Sequence, residues 1–494
     1  MAGGMTMEAL LAPWGIHAPA HPVVGLAMDS REVVSGGVFL AAAGEQGHGL
    51  EHLDAAIAAG AQLVVYEPSP QWDDAALTAI CASADVHLAK LPDLHSHVSE
   101  IAAKYCGYPG NALRVIGVTG TDGKTSVVHY VAQLLSALGI QCGVLGTLGC
   151  GLLGQLKPTR HTTADPVSVQ QQLQTLVQAG AKAVAMEVSS HALAQGRVAA
   201  VPFHTAVLTY LGRDHLDYHG SLEAYAAAKR KLFLWPSLVC RIINMDDAFG
   251  VGLAALNDDV EVTRYGRGSN NEWQVCGVEP TADGLSVQLR HAGITHSLRL
   301  PLMGSFNAAN VTAAIAAAGW EQSAEDVLHA TSAIRAVPGR MERFIGADGP
   351  LVVVDYAHTP GALESVLNAL RQHTTGQLWC VFGCGGDRDA GKRALMGEVA
   401  SRLADQVVVT NDNPRSEPPE AIVEEICAGI SDPAGVRVEL DRASAIANVI
   451  KQANAKDVVL VAGKGHESVQ WLGQQAVPFS DREQVEQQLL RRAG

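Results

Sequence analysis

The chain has 494 residues, with 35 Lys+Arg against 50 Asp+Glu and a formal net charge of −15. A hydrophobic fraction of 48% with 17% charged residues is incompatible with a disordered chain, and the acidic balance argues against broad nucleic-acid binding, so any phosphate chemistry must be local. No apolar run reaches the roughly 18–20 residues of a membrane span and no basic leader segment is present, so a soluble, cytoplasmic protein is expected, without membrane or nucleic-acid partners. The nine Cys include no CxxC pair; Cys142, Cys276, Cys380 and Cys427 lie in apolar runs and read as reduced core thiols.

At roughly 100–200 residues per domain, the length predicts about three domains. Residues 1–92 carry the short strands Gly36–Ala43 and Leu63–Tyr66 and the helical stretch Leu53–Ala59, a small α/β domain. From Leu113 a strand to Val118 enters the Gly-rich turn Thr119–Gly123 and a helix, Lys124–Leu138, with helically spaced Val128, Val131, Leu134, Leu135 and Leu138. Gly143–Thr147, Ala181–Val188 and Thr205–Leu211 read as further buried strands of a doubly wound parallel sheet. The pattern then alternates (Val275–Val278, Leu285–Leu289, His296–Leu300), predicting appended antiparallel strands before the helix Ala308–Ala318. After a Pro-Gly break come the strands Leu351–Tyr356, Leu378–Phe382, Asp405–Thr410 and Asp457–Ala462, with helices between. The expected class is α/β in three domains: 1–92, 93–337 with a central P-loop doubly wound, mostly parallel sheet plus an appended antiparallel sheet, and a Rossmann-like C-terminal domain at 338–494.

Gly117-Val-Thr-Gly120-Thr121-Asp122-Gly123-Lys124-Thr125-Ser126 stands at the end of a strand and the start of a helix. Backbone N–H groups there can cradle phosphate oxygens, Lys124 can neutralise their charge and the Thr125 hydroxyl can reach Mg²⁺. Val118 takes the place of the first Gly of GxxxxGK[ST], so the pattern is GxxGxxGK[ST]; the bland alternative is a glycine turn for helix packing. Glu187 ends another strand of the same expected sheet, where a further Mg²⁺ ligand would sit. His215 lies among acidic neighbours in Gly212–His219, past the strand that reads to Leu211. Taken singly, Glu187 reads as a cap, His215 as a satisfied polar residue, and the Lys229-Arg230-Lys231 segment as a solvated helix face.

Together, GVTGTDGKTS (117–126), MEVSSHAL (186–193), LGRDHLDYHG (211–220) with AAAK (226–229), FNAANVTAA (306–314), PGRMER (338–343) and DYAHTP (355–360) resemble the Mur ligase family, ATP-dependent amide-forming enzymes of the peptidoglycan stem peptide. GCGGDRD (383–389), DNPRSEPP (412–419) and AGKGHE (462–467) look like the branch that adds the third residue. The resemblance runs from about Asp29 to Glu467. It implies that the carboxylate of a UDP-N-acetylmuramoyl-alanyl-glutamate is activated as an acyl phosphate and attacked by an amino acid's amine, a reaction governed by charge neutralisation and positioning. It implies ATP and two Mg²⁺ as cofactors. Gly120 to Ser126, Lys124 and Thr125 above all, would hold the phosphates and first metal; Glu187 would bridge the metals, and His215 with Lys229 would serve the second. Lys229 would be carbamylated, CO₂ converting a repelling ammonium into an anionic ligand. Asn307, Arg340 and Asp355 match positions for adenine, the γ-phosphate region and ribose. Asn307 has the alternative of capping the helix that follows it. Closure of the third domain onto the central one would complete the site.

The same resemblance implies meso-2,6-diaminopimelate as the amino acid. Asp412-Asn413-Pro414-Arg415 follows a strand, and an Arg fork can bind the distal carboxylate that distinguishes this substrate from lysine. Arg388, Gly463 and Glu467 match the rest of that pocket, Glu467 suiting the distal ammonium. For the sugar nucleotide the matching residues are Leu26, Ser30, Glu45, Gln46, Gly47, Thr162, Thr163, Ser189, Gln195 and Arg197. Asp122 and Ser126 depart from the usual GTNGKTT; Ser126 keeps a hydroxyl, whereas Asp122 brings a negative charge near phosphates. The competing readings are L-lysine as substrate, a folylpolyglutamate-synthetase-like ligase, and a P-loop nucleotide switch. A monomer acting on small molecules is expected.

Overall fold

The computed structural model describes residues 4–45, 47–281, 283–319, 322–347, 349–432 and 436–493; Gln46 lies outside them. The chain divides into two compact units, 1–263 and 264–494.

The first unit holds two sheets. One is all parallel, with β1 (Leu26–Ala27), β2 (Val38–Ala41), β3 (Leu63–Tyr66) and β4 (His87–Lys90) in sequential order. The expected helix is found at Leu53–Ala58. Strand β4 lacks a sequence expectation because HLAK is a half-exposed edge with little apolar run. The other comprises β5 (Arg114–Thr119), β6 (Cys142–Gly146), β7 (Gly149–Leu152), β8 (Ala183–Glu187), β9 (Phe203–Leu208) and β10 (Cys240–Asn244), in the order β10-β9-β5-β8-β6-β7. All neighbours are parallel except the β6–β7 hairpin. Val115, Val184, Met186, Phe203 and Leu208 are packed in its core, as a sheet covered on both faces requires. The chain leaves β5 toward β6 but leaves β9 toward β10. The crevice beyond the carboxyl ends of β5 and β9 is therefore a topological switch point.

In the second unit, Tyr265 and Gly266 of β11 (Glu261–Gly266) pair in parallel with β12 (Trp273–Thr281), and β12, β13 (Gly284–His291) and β14 (Ile294–Leu300) form an antiparallel meander. The six-stranded sheet comprises β15 (Glu342–Ile345), β16 (Leu351–Asp355), β17 (Leu378–Phe382), β18 (Gln406–Val409), β19 (Val436–Val438) and β20 (Val458–Ala462), in the order β15-β16-β20-β17-β18-β19. Only β15 runs antiparallel. Alternate residues feed two cores, Val353, Phe382 and Leu460 on one face and Val352, Val381 and Val461 on the other. A hairpin of β21 (Val469–Leu472) and β22 (Gln475–Pro478) follows.

No described helix is long and apolar enough to cross a membrane. All nine cysteines are free. Cys276 corrects the reading of a core thiol: it is exposed, because β12 buries Trp273 and Val275 and turns Cys276 outward next to an irregularity at Val275/Gly277. Cys427 is only half-buried.

Candidate active site

The Gly-rich turn leaves β5 at Thr119 and starts the helix Lys124–Ala137. Gly120 has φ 151°, and a Cβ there would lie 1.9 Å from Thr209 Oγ1, so only glycine fits. Thr121 N donates to the Tyr210 carbonyl at 2.6 Å, and Thr209 Oγ1 donates to the Asp122 carbonyl at 2.6 Å, fastening the loop to the segment after β9. Lys124 folds back, its Nζ donating to the carbonyls of Gly120 at 3.0 Å and Thr121 at 2.7 Å. Thr125 and Ser126 are buried, while the Asp122 side chain is exposed.

Adjacent to β5, β8 brings Glu187 alongside, in register with Val118. Glu187 is 1% exposed. It accepts from Thr125 Oγ1 at 3.0 Å, from Thr147 N at 2.8 Å and from Thr147 Oγ1 at 3.2 Å. A hydroxyl and a carboxylate converging at two strand ends make a hard oxygen donor set of the kind Mg²⁺ takes.

Lys229 lies on the buried face of the helix Leu222–Phe233, 1% exposed. Its Nζ donates to the Gly120 carbonyl at 2.8 Å and stands 4.5 Å from the Tyr225 ring centroid. Burial, reinforced by the neighbouring Lys124 charge, pushes its pKa well below the usual lysine range, against the opposing pull of Asp214 and Asp122. An ammonium here would repel a metal cation, so Lys229 fits a metal site only when that charge is removed. His215 adopts φ 52°, with Nε2 3.3 Å from Asp214 Oδ2, and its ring centroid is 4.8 Å from that of His191. Burial lowers the pKa of both histidines. His191 falls to about 4, helped by the facing His215 and His219. The structure thus gathers Lys124, Thr125, Glu187 and Lys229 around Gly120, with His215 on the rim.

The residues expected to hold the sugar nucleotide form a second group in the same unit. Gln195 Nε2 donates to Glu45 at 3.1 Å and to Tyr218 OH at 3.2 Å, and Tyr218 OH donates to Glu45. Arg197 Nε donates to Gln195 at 2.7 Å and its Nη1 to the Thr163 carbonyl at 2.9 Å. Thr163 Oγ1 donates to the Glu187 carbonyl at 2.9 Å and accepts from Ser189 N at 3.1 Å, so this group abuts the oxygen cluster. Thr162 Oγ1 lies 3.1 Å from Thr147 Oγ1, whose proton goes to Glu187. Leu26 offers its carbonyl to Gln171, Ser30 is buried in the turn capped by Asp29, and Gly47 is exposed, accepting from Gly44 N.

In the second unit, Asn307 is the second residue of the helix Phe306–Ala318 and not its cap. It is buried; Nδ2 donates to the Met303 carbonyl and Oδ1 accepts from Asn310. Asp355, ending β16, accepts from Met341 N at 2.7 Å and Ala357 N at 2.8 Å, pinning the turn that carries Arg340. Arg340 lies 4.5 Å from the Tyr356 ring centroid.

The loops after β17, β18 and β20 bring the remaining residues together. Arg415 has φ 51°; its Nη1 donates to the Gly386 carbonyl at 2.6 Å, its N to the Trp471 carbonyl at 3.2 Å, and its carbonyl accepts from Gly473 N at 3.0 Å. Arg388 is exposed and donates to the Asp387 carbonyl. Pro414 and Asp412 are buried, and burial raises the Asp412 pKa. Gly463 has φ 114°, and a Cβ there would meet Asp412 Oδ2 at 2.6 Å. Asn413 Nδ2 donates to Glu467 Oε2 at 2.9 Å.

Sequence reading missed Thr147, Tyr218 and Tyr225. Thr147 stood at the end of an expected strand, whose end beside Glu187 was a usable signal; Tyr225, which shares a 3.0 Å hydrogen bond with Thr121 Oγ1, gave none.

Two family models match: the Mur ligase middle domain over residues 118–318 and the Mur ligase glutamate ligase domain over 339–465. UDP-N-acetylmuramoyl-L-alanyl-D-glutamate–2,6-diaminopimelate ligases from Pseudomonas syringae pv. tomato and Pseudomonas aeruginosa are 48% and 49% identical, over 95% and 94% of this chain and 96% and 94% of theirs. A solved structure of a ligase of that name superposes with a TM-score of 0.70 at 34% identity, covering 99% of this chain and all of the other. The chain belongs to the Mur ligase family.

Proposed function

We propose that the protein is an ATP-dependent ligase that joins meso-2,6-diaminopimelate to UDP-N-acetylmuramoyl-L-alanyl-D-glutamate, forming ADP and phosphate. It would act as a cytoplasmic monomer in peptidoglycan precursor synthesis. The observation that carries this reading is the convergence of Lys124, Thr125, Glu187 and Lys229 on the carbonyl end of β5, in a chain that also sets Arg415 and Glu467 on adjoining loops of one sheet. The domain division at 1–92, 93–337 and 338–494 belongs to this reading, with sugar nucleotide, ATP and amino acid assigned to them in turn.

Lys124, Thr125 and the backbone of 120–126 would take the phosphates, and Thr125, Glu187, His215 and carbamylated Lys229 would hold Mg²⁺. Bound there, Mg²⁺ supplies charge neutralisation to the phosphates. A neutral amine is what adds to CO₂, and burial, which lowers the pKa of Lys229, favours that form. The dipeptide carboxylate accepts the phosphoryl group, which turns a poor leaving oxygen into a good one, and the amine then attacks the acyl carbon. Asn307, Arg340 and Asp355 would serve adenine, the γ-phosphate region and ribose. Arg388 and the Asp412–Arg415 loop, with Gly463 and Glu467, would bind the amino acid.

The test is phosphate release from purified protein given ATP, Mg²⁺, the UDP-linked dipeptide and either meso-diaminopimelate or L-lysine. Release is expected only with all components and with diaminopimelate preferred. Release independent of dipeptide and amino acid would refute the ligase, and preference for lysine would refute the substrate assignment.

A further inference from the structure

Lys464 is a fully buried lysine, 0% exposed, in the loop after β20. An ammonium has three donors, and each has an acceptor: Asn413 Oδ1 at 3.0 Å, Glu467 Oε2 at 2.7 Å and the Val469 carbonyl at 2.8 Å. Asn413 is fixed in one orientation as a result. Its Oδ1 accepts from Lys464 and from Trp471 N at 3.0 Å, which turns Nδ2 toward Glu467 Oε2. Two donors therefore converge on Oε2 of Glu467, while Oε1 receives none from the described residues; the Glu467 side chain is 28% exposed. A carboxylate with one oxygen clamped and the other open is a preorganised acceptor for a cation arriving from solvent.

We infer that Lys464 is a positioning residue for amino-acid selection: it locks Asn413 and Glu467 so that Glu467 Oε1 faces the ammonium on the distal carbon of the amino-acid substrate. This rests on the proposed reading of the Asn413–Glu467 loops as the diaminopimelate pocket. Lys464 acts without touching the ligand. Its removal frees Glu467 to rotate and leaves the buried Asn413 Oδ1 and Val469 carbonyl each short of a donor, effects confined to one end of the substrate.

The experiment compares wild type, Lys464→Gln and Lys464→Arg with two amino acids, meso-diaminopimelate and 2-aminopimelate, the same diacid without the distal amine. KM and kcat are measured for each, with KM for ATP and for the UDP-linked dipeptide as controls. The loss of charge-assisted hydrogen bonding predicts a KM for diaminopimelate raised roughly tenfold or more in Lys464→Gln, a smaller rise in Lys464→Arg, and KM for 2-aminopimelate unchanged in both. Equal KM rises for the two amino acids in either variant would make Lys464 merely structural and overturn the inference. Wild type that uses neither diacid overturns the substrate reading instead.

Discussion

Lys229 Nζ donates a 2.8 Å hydrogen bond to the carbonyl of Gly120, the same oxygen that accepts from Lys124 at 3.0 Å. Two amines on one buried acceptor favour loss of a proton from the more buried one, and Lys229 is that one. Carbamylation of Lys229, as proposed, would remove the conflict by putting an anionic group in place of one of the two amines. Lys229→Ala is expected to lose nearly all ligase activity and to regain part of it with added short-chain carboxylic acids, which can occupy the vacated volume with an anionic oxygen. Full activity in the unrescued variant would show that no carbamate is needed.

His191 is held neutral down to about pH 4 by burial and by the rings of His215 and His219. Its folded pKa lies below the unfolded value near 6.5, so the unfolded chain binds the extra proton first. The stability it contributes is fully present above about pH 6.5 and is lost as pH falls toward 4. Thermal midpoints measured from pH 7 to 4.5 are expected to drop less steeply in His191→Gln than in wild type. Parallel curves for the two proteins would contradict this assignment.

Strands β3 and β17 were legible residue for residue because each is a short, wholly apolar, fully buried run, and the P-loop because glycines and Lys-Thr punctuate a strand–helix junction. The hairpin β21–β22 was not, since its pattern is mostly exposed and its role is to hold the backbone of Arg415 through Trp471 and Gly473. Lys229 illustrates a different limit. One lysine among Lys229-Arg230-Lys231 looks like a solvated face, and only the packing of the helix shows that Lys229 is buried while Arg230 is exposed. Asp122 had no favourable account from sequence. In the structure it is exposed, and its charge opposes the lowering of the Lys229 pKa without outweighing burial.

Arg442 and Asp481 are both 0–1% exposed and joined through Nε and Nη2 at 2.7 Å each. Arg442 also donates to the carbonyls of Asn411 at 3.1 Å and Ala462 at 2.9 Å, the residues from which the Asp412 and Gly463 loops depart. Asp481→Asn leaves the guanidinium uncompensated in the interior and is expected to cost about 3–5 kcal/mol in urea denaturation. The combined Arg442→Met, Asp481→Leu variant is expected to recover much of that loss, because an apolar pair needs no charge balance. Equal destabilisation in the single and combined variants would show that the pair's value lies in its bonds to the two loops.

Arg415 combines a left-handed backbone, φ 51°, with three fastenings: its side chain to Gly386 and its main chain to Trp471 and Gly473. A non-glycine residue held in this region carries strain of order 1 kcal/mol or more, which persists here because the hairpin over-determines the loop. Arg415→Ala is expected to raise KM for diaminopimelate by roughly 10–100-fold, the scale of a lost charge-assisted contact, with KM for ATP unchanged. Arg415→Gly removes the same side chain and also relaxes the backbone constraint. It should therefore match Arg415→Ala in KM for diaminopimelate while being no less stable. An unchanged KM in both variants would exclude Arg415 from reading the distal carboxylate. A KM rise only in Arg415→Gly would assign the effect to loop geometry.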